Sequence, residues 1–187
     1  MSLETIRMRS PKIFVLVWLL FLPLSAQADT GLPTVHWEVS TPLTLVDGAH
    51  HLSLGDTLAQ VKAQLGTWAK PEQSLATFAG NVTVRVSEGR VVNLTLVGPP
   101  CPWSLEVDHQ KACETGEKID ALQQRLGPPH ARFTKTIPPE QSNVYLYYGA
   151  LGDAGLLVVD GEVRSILLAE PGVLEMILPT AGYTKQP

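Results

Sequence analysis

One twelve-residue pattern occurs twice in this chain and constrains its fold more than any other feature. Gly55-Asp-Thr-Leu-Ala-Gln-Val-Lys-Ala-Gln-Leu-Gly66 returns as Gly116-Glu-Lys-Ile-Asp-Ala-Leu-Gln-Gln-Arg-Leu-Gly127. The apolar positions Leu58, Val61 and Leu65 match Ile119, Leu122 and Leu126 one for one. A recurring pattern of this kind marks one supersecondary unit used twice. Each copy leads to a hairpin signal, Glu88-Gly89 in the first and Asp160-Gly161 in the second. The motifs lie 61 residues apart and the turns 72, so the second copy carries about 11 extra residues, expected around Phe133 to Ser142.

The local chemistry around each copy specifies a short helix and a sheet. Thr57-x-x-Gln60 is a capping-box pattern that starts a helix near Asp56 or Thr57, and Gly66 supplies a left-handed residue to end it. A helix of about ten residues does not persist alone in water, so its apolar stripe must pack on something. Val82, Val84 and Val86 alternate with Thr83 and Arg85, and Val92, Leu94 and Leu96 alternate with Asn93 and Thr95. That period predicts an antiparallel sheet covered on one face. Further strands are expected at Thr34 to Val39, Leu43 to Val46, Val144 to Tyr148, Gly155 to Val159 and Val163 to Leu168. Residues 170–187 read as a closing strand or a loose tail.

The fold class expected is α+β: two tandem modules, each a short helix on one face of an antiparallel sheet of three to four strands. The first spans residues 29–100 and the second 116–187, with a linker at 101–115. Cys101 and Cys113 are the two cysteines, and in an exported chain an even count favours a disulfide. Such a bond would close a loop of about 13 residues and contribute roughly 3 kcal/mol.

Export is read from the beginning of the chain. Arg7, Arg9 and Lys12 precede an apolar run from Ile13 to Leu22, Pro23 ends it, and Ala26-Gln27-Ala28 offers small residues for cleavage. The run is shorter than the roughly 20 residues that cross a bilayer, and no cysteine follows it to carry a lipid. The expectation is a signal peptide over residues 1–28, cleaved after Ala28, and a periplasmic or secreted product with no stable membrane anchor. Loss of the leader shifts the net charge from −4 to about −6 and leaves no run of bases, which argues against nucleic-acid binding.

The Gly-to-Leu-Gly helix motif followed by a strand meander resembles the SmpA/OmlA (BamE-like) domain of bacterial envelope proteins. Two such units in tandem are similar to the beta-lactamase inhibitor protein fold. The resemblance covers about residues 43 to 170. It implies a fold and a role in binding other proteins, and it carries over no site residue. BamE itself is a lipoprotein with a single module, whereas this chain repeats the unit and lacks the lipid site.

No residue pattern specifies catalysis. His50-His51 are adjacent on an extended segment and point to opposite faces, which disfavours a shared metal. Ser104, Asp108 and His109 are the residue types of a hydrolase triad without the Gly-x-Ser-x-Gly elbow that would present the nucleophile. His36 and His130 stand alone. Glu88 and Asp160 are explained by turn chemistry. Asn81-Val-Thr83 and Asn93-Leu-Thr95 match a glycosylation sequon but read as polar strand positions. Trp68 and Trp103 are placed at the ends of the core.

Tyr145 and Tyr147 alternate with Val144, Leu146 and Tyr148, so if the second set faces a helix the first faces outward. Tyrosine suits a binding surface because it offers wide contact and a polar tip. The expected partner-binding face is therefore Tyr145, Tyr147, Arg85, Asn93 and Thr95, together with Thr83. The expected function is a non-catalytic, cofactor-free module that binds another envelope protein or an extracytoplasmic enzyme. The alternative is a periplasmic carrier of a small molecule or metal.

Overall fold

Helix α1 (Leu58–Leu65) forms where the repeat predicts it. Thr57 caps it: its hydroxyl accepts from the Gln60 N–H at 3.3 Å, and the Gln60 side chain accepts from the Thr57 N–H at 2.7 Å. Gly66 closes it at φ 86°. Helix α2 (Ile119–Leu126) ends likewise at Gly127, φ 75°. The computed structural model describes residues 43–66, 75–78, 82–99 and 101–187. The expected leader and cleavage site, the strand at Thr34 to Val39, His36, Trp68 and Asn81 all lie outside the described residues.

Around the two motifs the backbone makes the same contacts. Gly55 N–H donates to Val91 O at 2.8 Å and Gly116 N–H to Val163 O at 2.7 Å. Val91 N–H returns to Asp56 O, and Val163 N–H to Glu117 O. Leu58 N–H reaches Gly89 O as Ile119 N–H reaches Gly161 O. The hairpin turns correspond too: Glu88 and Gly89 have φ 51° and 77°, Asp160 and Gly161 52° and 75°. Two consecutive positive φ values are the type I′ turn whose twist suits a hairpin.

The strands assemble into two antiparallel sheets, so the chain is α+β and mostly strand. Strands β1 (Thr44–Asp47), β2 (His50–Ser53), β6 (Ser104–Val107) and β7 (Gln110–Glu114) form a four-stranded sheet in the order β2-β1-β6-β7. The larger sheet is built from β3 (Leu75–Phe78), β4 (Val82–Ser87), β5 (Arg90–Val97), β8 (Ala131–Ile137), β9 (Glu140–Gly149), β10 (Gly152–Val159), β11 (Glu162–Ala169) and β12 (Thr184–Lys185). Its order is β12-β8-β9-β10-β11-β5-β4-β3. The sheets are continuous across the repeat because β1 pairs with β6 and β11 pairs with β5.

Three expectations are corrected. Residues 101–115 are no simple linker, since most of them form the β6–β7 hairpin. Residues 170–187 form helix α3 (Val173–Thr180) followed by the short edge strand β12. The disulfide is absent, and both cysteines are thiols. The hairpin register sets Leu105, four residues beyond Cys101, opposite Cys113. Residues 133–142, where the extra length of the second copy is expected, lie in β8, the turn that joins it to β9 and the start of β9; residues 67–74 of the first copy lie outside the described residues.

The main core lies between the inner face of the large sheet and the layer of α1, α2 and the small sheet. Val61, Leu122, Leu45, Leu52, Leu105 and Trp103 meet Val84, Leu94, Leu156 and Ile166 there. A bulge between Arg85 and Val86 in the β4–β5 pair shifts the alternation, so Val91 rather than Val92 turns inward. A second cluster sits on the outer face, where Leu174 and Leu178 of α3 pack on Phe133, Val144 and Leu146.

Candidate functional site

Tyr145 and Tyr147 belong to the interior, which overturns the expectation that they face a partner. Cross-strand register aligns Tyr147, Ala154, Leu168, Leu94 and Val84 in one row across five strands. Every residue in that row is 0 % exposed. Tyr145 sits in the next inward row with Leu156 and Ile166, and the Arg132 guanidinium lies 5.4 Å from its ring centroid. The Tyr147 hydroxyl donates to Gly127 O at 3.3 Å, at the end of α2. Burial, and then the neighbouring Cys113 and Tyr145, push that phenol well above its ordinary range. Both faces of β9 are covered, so its alternation separates two cores rather than core from solvent.

Among the described residues, α3 covers one half of the outer face and no helix covers the other. Over β8 to β11, α3 lies close because Gly155 leaves room: a Cβ there would meet Leu146 Cδ2 and Leu174 Cδ1 at 3.2 Å. Asp153, buried, accepts from the Gly172 N–H at 2.6 Å and ties the start of α3 to β10. Burial raises the Asp153 carboxyl above the usual carboxylate range, opposed by the N–H groups of Gly172 and Gly149. Glu175 of α3 accepts from the Tyr148 hydroxyl at 2.9 Å and pairs with Lys185. The Lys185 bond, followed by that of Tyr148, holds Glu175 below its ordinary value. Burial and Glu175 push the Tyr148 phenol up to about 12.

Over β4 and β5, no helix among the described residues covers the outer face. Arg85 is exposed there, Thr83, Asn93 and Thr95 are half-buried, and Val97 is 47 % exposed. Thr95 Oγ1 donates to Asn93 Oδ1 at 3.1 Å, which fixes the polar row along β5. The covered and uncovered halves join edge to edge, because Leu167 pairs with Thr95 and Ser165 with Val97. At the margin of α3 lies an apolar groove of about 320 Å³, walled by Val144, Leu157 and Leu167 of the sheet, Ile177 and Leu178 of α3, and Tyr183. The sequence reading missed this groove with α3. The signal was the apolar spacing Val173, Leu174, Ile177, Leu178 after Gly172, hidden by Pro179 in the last turn.

The other candidate residues are not gathered into a catalytic site. Ser104 and the Asp108-His109 turn lie at opposite ends of β6, about 13 Å apart at strand rise. His50 Nδ1 is 3.3 Å from Asp47 Oδ1, while His51 is exposed. Among the described residues no three His, Cys, Asp or Glu side chains gather in metal-binding geometry. His130 accepts the Tyr148 N–H on Nδ1 at 2.9 Å and stacks on the Tyr148 ring, an ordering role at the start of β8. Cys113 is enclosed, and burial, with Glu117 next, pushes its thiol far up. Trp103 is buried in the main core.

No protein-family model and no curated protein matches the sequence. Three solved structures show distant likeness. A cysteine-rich secretory protein from Staphylococcus aureus is 11 % identical, with TM-score 0.46 over 71 % of this chain and 49 % of that one. An extracellular protein containing an SCP domain from Bacillus anthracis is 15 % identical, with TM-score 0.43 over 71 % of this chain and 48 % of that one. A DUF4309 family protein from Bacillus subtilis is 16 % identical, with TM-score 0.40 over 61 % and 78 %. The chain thus spans about half the length of the first two.

Proposed function

We propose that this chain is a non-catalytic protein-binding module of the cell envelope, exported by the leader over residues 1–28 and acting in the periplasm or outside the cell. In this reading it consists of two similar helix-on-sheet modules in tandem, the arrangement of SmpA/OmlA (BamE-like) domains. The matched backbone contacts at Gly55 and Gly116 support the duplication. The partner is another envelope protein or an extracytoplasmic enzyme. The binding role rests on one observation, the uncovered half of the outer sheet face with Arg85, Thr83, Asn93, Thr95 and Val97. An ordered strand surface with one arginine beside an apolar margin provides the arginine anchor and the mixed polarity of a typical interface.

Site-resolved crosslinking tests the assignment. Photoreactive side chains placed at Thr83, Thr95 or Val97 should trap one envelope protein, and those at Ala63 and Gln124, on the exposed faces of α1 and α2, should not. Arg85→Glu should abolish the trap with the melting temperature unchanged. Trapping from the helices alone, or trapping indifferent to Arg85→Glu, would move the interface elsewhere.

A further inference from the structure

The groove beside α3 has the chemistry of a ligand site distinct from the protein-docking half-face. Its walls are branched aliphatic side chains, and its two hydroxyls are already engaged. Thr180 Oγ1 donates to Ile177 O at 2.7 Å, and the Tyr183 hydroxyl lies 3.2 Å from Ser142 Oγ. A peptide would bring backbone donors and acceptors that such walls cannot satisfy, whereas an alkyl chain brings none. At the roughly 30 Å³ that one water occupies in the liquid, 320 Å³ holds about ten non-hydrogen atoms. The rim is apolar too, with Ile177 38 % exposed.

Lys135 stands beside the groove, against its Ala181 and Tyr183 wall. Lys135 Nζ donates to Ala181 O at 2.7 Å and lies 5.5 Å from the centroid of the Tyr183 ring. An ammonium has three donors, so two remain for a ligand. The carbonyl end of α3 opposes an anion with only a partial charge, and its last carbonyls are engaged by the N–H groups of Ala181, Gly182 and Tyr183. The lysine's full charge decides the sign at this end.

We propose that the groove binds one free medium-chain carboxylate, its alkyl chain along Val144, Leu157, Leu167 and Leu178 and its head group on Lys135. A carboxylate on the ammonium forms a charge-assisted hydrogen bond, and each buried methylene adds affinity.

The test is calorimetric titration of the purified chain with carboxylates from hexanoate to dodecanoate, alongside decan-1-ol. Affinity should rise about fourfold per methylene and level off near ten carbons, where the groove is full. Decan-1-ol should bind roughly tenfold more weakly than decanoate. Lys135→Met should erase that difference and Lys135→Arg should restore it. Thr180→Trp, an exposed change on the last turn of α3, should block both ligands, and amide shifts on titration should map to residues 142–183. Equal binding of alcohol and acid by the unaltered chain, affinity that still climbs about fourfold per methylene from decanoate to dodecanoate, or binding indifferent to Thr180→Trp would each overturn the proposal. So would the absence of binding.

Discussion

Replacing Tyr147 by alanine tests the assignment of faces in the large sheet. The side chain is fully enclosed in a row whose neighbour on β10 is Ala154. Ala154 is too small to close over the space, and the ladder on each side of β9 holds the backbone in place. Removing a buried aromatic ring costs about 3–5 kcal/mol, with the upper part of the range expected where the site cannot collapse. For a chain of this size each kcal/mol lowers the melting temperature by roughly 2–4 °C, so the drop should be about 6–20 °C. Tyr147→Phe keeps the ring and loses the long 3.3 Å bond to Gly127 O, at a cost near the low end of about 0.5–1.5 kcal/mol. Urea unfolding of the three proteins measures both differences, with equal slopes required for the comparison. A Tyr147→Ala loss under about 1 kcal/mol would mean that the residue is outside the core and that the inner and outer faces are assigned the wrong way round.

Gly155→Val should force α3 off the sheet at a cost of about 1–3 kcal/mol, seen as lost hydrogen-exchange protection confined to residues 172–183; intact protection there would contradict the close packing. Cys113 should resist alkylation in the native protein and react after unfolding, with two thiols counted in the unfolded, unreduced chain; a count of zero would restore the disulfide. Asp153 holds its proton in the folded state to a higher pH than in the unfolded chain, so its contribution is fully present below the unfolded value and falls as pH rises through the raised one. Asp153→Asn keeps an acceptor for the Gly172 N–H and should flatten the part of the stability profile that lies above the ordinary carboxylate range; an unchanged slope there would show that the carboxyl is not perturbed.

The parts legible in the sequence are those that a few neighbouring residues decide. The capping box at Thr57, the closing glycines Gly66 and Gly127, and the turns at Glu88-Gly89 and Asp160-Gly161 are local geometry written in local chemistry. The repeat located the closing glycines and the turns at both motifs. The alternation in β4 and β5 was also legible, apart from the one-residue shift at the bulge, which no composition signals.

Tertiary structure alone decided what covers each face. Val144 to Tyr148 alternates between two apolar sets, and a period of two separates two faces without saying which is wet. The return of α3 onto the outer face, through the room left at Gly155, covers Val144 and Leu146, while Tyr145 and Tyr147 are buried on the inner face in the main core beside α2. Likewise the pairing of β6 with β1 turned an apparent linker into half of a sheet. Backbone propensity and capping act over a few residues and can be read along the chain. Burial and strand pairing depend on partners dozens of residues away, and only the folded chain specifies them.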